Sequence, residues 1–308
     1  EEIRLAQKHN LVPLPLMWYH KETSALLKQT AYKQCFSAGH GEQSTPCPLD
    51  NVYWDQLLEP TLLAIAEVYK ELDAPGGMML DQEFYAGGFP GFTYGGAEDG
   101  CFCENCITQF FRIMGDAREL PKQKKPLEFI LKNGYTLQQY LDVLEQRISA
   151  RTRKMALATR AIKPDFLFGL MPGMGNWYTN GIARGLSTPG MPVIIANEGE
   201  YFVGWNHRSR TNMEKLKQWG FPALYLPGLT ISSFNAEGLA VKSVEAAQQS
   251  AGYWLYYGEM LFRTNARLIP DAIDPNEYAL REPAQRYWSA MRAANHFPVS
   301  YTHLRAHE

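Results

Sequence analysis

The sequence predicts an α/β fold of parallel strands and helical crossovers, a (β/α)₈ TIM barrel that is N-terminally truncated and lacks its first two strands. Three observations favour this fold. Short apolar runs typical of buried strands alternate with amphipathic helices six times along the chain. No hairpin turn signal separates consecutive runs. Long loops rich in acidic or aromatic residues follow many strands, whereas a doubly wound open sheet concentrates its site at one switch point.

The composition is that of a globular protein with room for one barrel domain. The chain has 308 residues, of which 45% are hydrophobic and 20% charged. The net charge of −2 gives no electrostatic case for nucleic acid or an anionic membrane as partner. No apolar run approaches the roughly 20 residues that a membrane-spanning helix needs. The chain opens in a helical pattern without Met, so we expect the true N-terminus to be missing, and both a secreted or periplasmic and a cytoplasmic location stay open.

The first half of the chain is predicted to hold three helices and two strands. Asp50 precedes an amphipathic stretch and is a typical N-cap, while Pro60 inside that stretch predicts a kink. Residues 20–50 and 116–134 are polar, and we expect a long loop and a surface excursion there. In chain order, the predicted elements are a helix over 1–10, a strand over 11–19, a helix over 51–72, a strand over 77–83 and a helix that starts near Cys103.

The second half continues the alternation. Thr136 followed by Gln139 forms a capping box for a long helix, and Trp177 and Tyr178 are placed in a loop. The predicted elements are the helix over 136–162, strands over 166–170, 191–197, 223–226 and 253–257, and helices over 209–219, 236–250 and 275–296.

Residues 1–297 are interpreted as a single barrel domain, incomplete at its N-terminus. Residues 298–308 resemble the translation of a sequencing adapter found at the ends of metagenomic reading frames, and we treat them as a non-native tail.

Three of the five cysteines lie within six residues, in the pattern Cys101-x-Cys103-x-x-Cys106. Structural zinc takes four soft ligands in a tetrahedron, and this spacing supplies three of them. Cys47, just before a capped helix, is the best fourth ligand, with Cys35 and His40 as alternatives. The sequence therefore predicts a structural zinc site.

Two carboxylates end the apolar run at 77–83. Asp81 and Glu83 are predicted to share the inward face of a strand, roughly 6.6 Å apart along it. We expect a catalytic role for Glu83 and a supporting role for Asp81. A second carboxylate is expected from Glu198 or Glu200, although strict alternation along that strand places Asn197 on the inward face.

Aromatic residues make up 13% of the chain, and several fall at predicted strand ends. Sugars present apolar C–H faces to aromatic rings and hydroxyls to polar groups. We therefore interpret these residues as candidate sugar-binding positions, with Asn197 as a further polar partner: Trp18, Tyr85, Tyr201, Tyr225 and Trp254.

Residues 47–111 resemble the zinc-containing family-42 β-galactosidases of glycoside hydrolase clan A. The matching stretches are Cys47-Pro-x-x-x-x-Tyr53, Leu80-Asp-Gln-Glu83-Phe-Tyr and Cys101-Phe-Cys103-x-x-Cys106-x-x-x-Phe110. The resemblance implies that Glu83 is the general acid/base at the end of the fourth barrel strand. It also implies that the zinc ligands are Cys47, Cys101, Cys103 and Cys106.

The sequence departs from this family at two places. The clan's nucleophilic Glu belongs to the seventh strand, here 223–226, which runs into Pro227-Gly228 without a carboxylate. Gln82 stands where the family has Asn. We therefore expect a divergent relative in which Glu198 or Glu259 serves as the second carboxylate.

The predicted function is that of a glycoside hydrolase-like enzyme that acts on a carbohydrate through Glu83 and Glu198. The alternative is a barrel that binds glycans without cleaving them, because it has lost the clan nucleophile. A metal-dependent hydrolase is disfavoured, because no His-x-His pattern occurs at a strand end.

Overall fold

The computed structural model describes ten segments of the chain, and every structural statement below refers to these: residues 1–18, 33–37, 41–81, 100–116, 125–171, 176–198, 208–256, 258–262, 268 and 279–305. They fall into two compact units, Glu1–Val193 and Ile194–Glu308. Parallel strands alternate with helices, as in part of a (β/α) barrel. The extent of residues 1–297 as one domain stays a prediction.

The first unit contains three neighbouring parallel strands. Strand β4 (Gly77–Asp81) pairs with β1 (Leu16–Trp18) on one side and with β5 (Leu167–Met171) on the other. In this register Trp18, Asp81 and Met171 lie side by side at the carboxyl ends of the three strands. The strands of this unit are β1 (Leu16–Trp18), the hairpin strands β2 (Gln34–Ser37) and β3 (Gly41–Pro46), β4 (Gly77–Asp81) and β5 (Leu167–Met171).

The helices of the first unit confirm most of the predicted elements. Asp50 Oδ2 accepts a hydrogen bond from the Val52 amide at 3.1 Å, and Pro60 lies where a π-helical stretch, Val52–Leu58, becomes α-helical. The capping box of Thr136 and Gln139 is complete. The helices are α1 (Glu2–Lys8), α2 (Glu59–Glu71), α3 (Glu104–Ile113), α4 (Pro126–Lys132), α5 (Leu137–Ile162) and α6 (Trp177–Leu186).

The structure corrects three predicted loops of this unit. The segment 20–50 contains the antiparallel hairpin β2–β3, although no hairpin signal marks the sequence. The expected surface excursion at 116–134 contains α4, and the expected loop around Trp177 is the start of α6. Asn176 caps α6 by accepting a hydrogen bond from the Thr179 amide, so side-chain capping sets the start of this helix.

Helices α5 and α6 pack at very short range because α6 has glycine where the two backbones meet. A Cβ atom built on Gly185 would lie 1.8 Å from Thr152 Oγ1 and 2.5 Å from the Ser149 carbonyl oxygen. We expect Gly185→Ala to destabilise the protein by about 1–3 kcal/mol, because α6 must move away from α5. Gly190→Ala is the matched control, since its Cβ would meet nothing within 4 Å. Equal urea midpoints for the two variants would contradict this packing.

The second unit repeats the alternation of strands and helices. Strands β7 (Ala223–Thr230) and β8 (Trp254–Tyr256) are parallel, with Gly228 opposite Trp254 and Thr230 opposite Tyr256. The described part of this unit also contains short 3₁₀ helices at Ile231–Ser233 and Gly258–Phe262. The elements are β6 (Val193–Asn197), α7 (Arg208–Trp219), β7 (Ala223–Thr230), α8 (Ala236–Gln249), β8 (Trp254–Tyr256) and α9 (Ala284–Arg305).

Two elements of the second unit differ from prediction. Strand β7 does not end before Pro227 but continues to Thr230, because Gly228, Leu229 and Thr230 pair with β8. Helix α9 begins at Ala284 and runs to Arg305, where a helix over 275–296 was expected. It therefore includes most of the segment that the sequence marks as a non-native tail.

Each unit has its own apolar core. Phe110, Phe111, Tyr135 and Tyr140 form a ring cluster between α3 and α5 in the first unit. In the second unit, residues from β7, α8 and α9 make a buried cluster that includes Leu229, Leu239, Tyr287 and Met291. No helix in the described segments is both long and apolar enough to cross a membrane.

Candidate metal centre and candidate active-site residues

Four cysteine sulfurs come together in the first unit. The Sγ atoms of Cys47, Cys101, Cys103 and Cys106 all lie within 4.8 Å of one another. Cys47 Sγ is 3.3 Å from Cys106 Sγ and 3.5 Å from Cys103 Sγ. These distances exceed the roughly 2.05 Å of a disulfide bond. They approach the separation of about 3.8 Å that four sulfurs at 2.3 Å from a tetrahedral ion would have. The cluster can therefore hold a metal ion.

The hairpin and the start of α3 bring these cysteines together. Cys47 directly follows β3, and its amide donates a 2.6 Å hydrogen bond to the Lys33 carbonyl. The Phe102 amide donates to the Phe36 carbonyl at 2.7 Å, which joins the loop of Cys101 and Cys103 to the hairpin.

Two buried aromatic side chains fix the loops that carry the sulfurs. Tyr140 Oη donates to the Cys101 carbonyl at 2.5 Å, and its ring stacks on Phe102 with centroids 5.0 Å apart. Trp54 Nε1 donates to the Pro48 carbonyl at 2.9 Å, one residue after Cys47. The loop positions are thus set by the protein's own packing.

The four thiols of the cluster differ in how readily they ionise. Burial raises the pKa of the thiols of Cys47, Cys101 and Cys106. Hydrogen bonds from the neighbouring thiols, Cys101 first, hold the pKa of Cys103 well below its usual range. Cys103 is also the N-cap of α3, where the helix dipole favours negative charge. Cysteine binds metal as thiolate, so a divalent ion would displace the remaining protons and balance the buried charge.

Cys35, one of the alternative ligands predicted, lies beside this cluster but is not one of the four. Its thiol is fully buried on β2 and interacts with Cys101, while burial raises its pKa. The other alternative, His40, lies outside the described residues. The arrangement therefore selects Cys47 as the fourth member of the cluster.

Asp81 is the last residue of β4 and is 3% exposed. It lies at the carboxyl end of a parallel strand, and the predicted inward face shared with Glu83 stays a prediction. Glu83, Tyr85, Glu200 and Tyr201 lie outside the described residues, so their predicted roles stay predictions.

In the second unit, three predicted site residues meet in one hydrogen-bonded group. Asn197 Nδ2 donates to Tyr225 Oη at 2.6 Å, and Trp254 Nε1 donates to the Asn197 carbonyl at 3.4 Å. Asn212 Nδ2 from α7 also donates to Tyr225 Oη, at 2.8 Å. Asn197 and Tyr225 are buried and Trp254 is partly exposed. Tyr225 therefore fixes the side-chain amide of Asn197 at the end of β6.

The candidate second carboxylates differ in their surroundings. Glu198 follows Asn197 directly after β6 and is partly buried, whereas Glu259 is exposed in the turn Gly258–Phe262. Trp18 ends β1 next to Asp81, as the pairing register shows. These placements leave the catalytic and sugar-binding assignments as predictions.

Sequence reasoning missed several polar residues near these sites. Asn212 gave no signal, because no local pattern shows that a helix side chain will reach Tyr225 on the following strand. Asn105 donates to Cys47 Sγ at 4.0 Å and accepts from Gln109 at 3.0 Å. Their i, i+4 spacing on α3 was visible in the sequence, but Asn–Gln pairs are common on helix surfaces.

The chain is similar in fold to solved structures, among them two agarases and PfGH50B. An agarase, AgWH50C, superposes with a TM-score of 0.56 at 12% identity, over 95% of this chain and 45% of the agarase. PfGH50B gives a TM-score of 0.55 at 11% identity, over 88% of this chain and 43% of its own. An exo-β-agarase gives 0.51 at 13% identity, over 88% and 41%.

This chain therefore spans less than half the length of each of these proteins. No protein-family model matches the sequence, and no curated protein matches it. The likeness does not support the finer resemblance to family-42 β-galactosidases. What it shows is the fold: the chain superposes on parts of these structures as parallel strands with helical crossovers, as in part of a (β/α) barrel.

Proposed function

We propose that the chain belongs to a glycoside hydrolase whose catalytic domain is a (β/α)₈ barrel, with Glu83 as general acid/base and Glu198 as the second carboxylate. The observation that carries the proposal is the fold likeness to agarases. The position of Asp81 adds support, because this buried carboxylate is the last residue of β4 and lies two residues before Glu83 in the sequence. In barrel enzymes that end of the strands holds the catalytic groups.

The proposed chemistry needs two carboxyl groups with different roles. Glu83 protonates the leaving oxygen of the glycosidic bond, and Glu198 attacks the sugar or activates a water molecule. Asp81 and Glu200 support these groups. Asn197, held by Tyr225, is the candidate hydrogen-bond partner for a sugar hydroxyl.

The candidate sugar-binding surfaces are aromatic. A partly exposed ring such as Trp254 can stack on the apolar face of a sugar while its indole N–H is engaged by the Asn197 carbonyl. We assign the same stacking role to Trp18, Tyr85 and Tyr201.

The metal that we propose for the cysteine cluster is zinc in a structural role. Four cysteine sulfurs in a compact cluster, three of them from buried residues, match the ligand set of structural zinc sites, which leaves no open position for substrate. The ion would hold the hairpin and the start of α3 together, close in sequence to Glu83. This Cys-rich segment is also where the family-42 resemblance lies.

A glycan-binding protein without hydrolase activity is the second candidate. Strand β7, on which clan A carries its nucleophile, ends in Thr230 and is followed by Ser232 and Ser233. The hydroxyls of Thr230 and Ser233 are buried and have no hydrogen-bond partner among the described residues. These hydroxyls cannot take the place of a carboxylate nucleophile. If Glu198 does not act as the second carboxylate, the protein would have no hydrolase activity.

A substrate panel separates the two candidates. We expect the protein to release products from agarose-derived oligosaccharides or from aryl β-galactosides, as measured by reducing-sugar assay and mass spectrometry. Calorimetric binding of the same oligosaccharides without product release would instead identify a glycan-binding protein. If the protein neither binds nor cleaves any of a set of galactans, glucans, xylans and mannans, both candidate functions are wrong.

A further inference from the structure

A chain of hydrogen bonds leads from the cysteine cluster to the surface of α5. Asn105 Nδ2 contacts Cys47 Sγ at 4.0 Å, and Gln109 Nε2 donates to Asn105 Oδ1 at 3.0 Å. Arg147 Nε then donates to Gln109 Oε1 at 3.1 Å. These hydrogen bonds therefore link one candidate metal ligand, Cys47, to the guanidinium group of Arg147 on α5.

The direction of this chain is fixed by its two ends. Arg147 can only donate hydrogen bonds, and a metal-bound thiolate can only accept them. Each amide between them has one acceptor oxygen and one donor nitrogen. Gln109 must therefore turn its oxygen to Arg147 and its nitrogen to Asn105, which in turn must present its nitrogen to Cys47. Every donor in the chain points toward the sulfur.

Such an arrangement stabilises negative charge on Cys47. Hydrogen bonds in a chain polarise one another, so the positive charge of Arg147 strengthens the final N–H···S contact. The Leu49 amide donates a second hydrogen bond to the same sulfur, at 3.4 Å. A divalent ion with four thiolates carries a net charge of −2, and partners outside the ligand set affect how tightly such an ion is held.

We propose that Asn105, Gln109 and Arg147 form a hydrogen-bonded relay, ending on Cys47 Sγ, that retains the metal by stabilising the Cys47 thiolate. This proposal rests on the proposed metal site and deepens it. Arg147 and Gln109 also line a cavity of about 180 Å³ together with Arg151, so the outer end of the relay faces open space. The three relay residues are positioning residues for the metal and take no part in hydrolysis.

The test is the rate at which a chromogenic chelator removes zinc from the purified full chain. We expect Asn105→Leu to raise this rate about 10-fold or more, and Gln109→Met and Arg147→Met to raise it severalfold. Arg147→Lys, which keeps the charge and a donor, should restore most of the wild-type rate. Arg151→Met is the matched control, because Arg151 lies one turn along α5 beside the same cavity but pairs with Asp55 at 2.8 Å.

A double substitution separates a relay from a general loss of structure. Once Asn105→Leu has interrupted the series of hydrogen bonds, adding Arg147→Met should change the rate of zinc release no further. Equal rates for wild type, Asn105→Leu and Arg147→Met, or additive effects in the double variant, would overturn the relay and leave the metal site intact. A wild-type protein that binds no zinc, cadmium or cobalt would overturn the metal site and the relay together, and would leave the proposed hydrolysis untouched.

Discussion

Replacing Glu83 with Gln is expected to lower turnover of an unactivated glycoside by about 100- to 10 000-fold, the usual contribution of a general acid/base. Glutamine keeps the size of the side chain but cannot donate the proton that the leaving oxygen needs. The loss should be much smaller for an aryl glycoside with an acidic phenol as leaving group, because that group departs without protonation. The measurement is kcat for both substrates with both proteins.

Two further variants complete this experiment. Glu198→Gln should lose activity on both substrates, because the second carboxylate is needed whatever the leaving group. Glu259→Gln tests the exposed alternative, and Glu71→Gln at the exposed end of α2 is a matched control. Full turnover in Glu83→Gln with unchanged thermal stability would show that the assignment of the acid/base is wrong. If Glu259→Gln loses turnover and Glu198→Gln does not, the second catalytic carboxylate is Glu259.

Removing the metal is expected to have the largest effect on stability. The purified protein should contain about one zinc per chain, and Cys106→Ala should abolish binding and lower the melting temperature by roughly 10 °C or more. The physical reason is that Cys47 and Cys106 lie 59 residues apart in sequence, so the ion closes a long loop that includes β4.

The matched control is the fifth cysteine. Cys35→Ala removes a fully buried thiol next to Cys101, outside the group of four sulfurs. We expect this variant to keep its zinc and to lose only the small contribution of a buried side chain. Metal content is read by atomic emission and stability by calorimetry, under reducing conditions. A zinc-loaded wild type that melts at the same temperature as Cys106→Ala would contradict a structural role for the ion.

The features that could be predicted from sequence are those with a local physical cause. The capping box of Thr136 and Gln139 depends on two residues three positions apart, and it is complete in the structure. The predicted strand over 77–83 is a short apolar run between breakers, and the structure has strand β4 at Gly77–Asp81 with the buried Asp81 as its last residue. The close spacing of Cys101, Cys103 and Cys106 already indicated a metal cluster.

The features that could not be predicted depend on distant partners. The hairpin β2–β3 has polar strands, and contacts such as that between Phe36 and Phe102 join it to the cysteine loop. Helix α6 contains two glycines, which lower its predicted helix propensity, but the same glycines permit its close packing on α5. Strand β7 continues past Pro227 because β8 lies beside it. No local pattern encodes these pairings.

Helix α5 imposes a constraint on how this region can change over evolution. Along its 26 residues it presents Tyr140 to the Cys101 carbonyl, Arg147 to Gln109 and Thr152 to the backbone of α6. Each residue of an α-helix advances the side chains by about 100° around the axis. Inserting or deleting a single residue after Tyr140 would therefore turn every later contact away from its partner. Substitutions on the exposed side are tolerable, but the number of residues between these contacts is not free to vary.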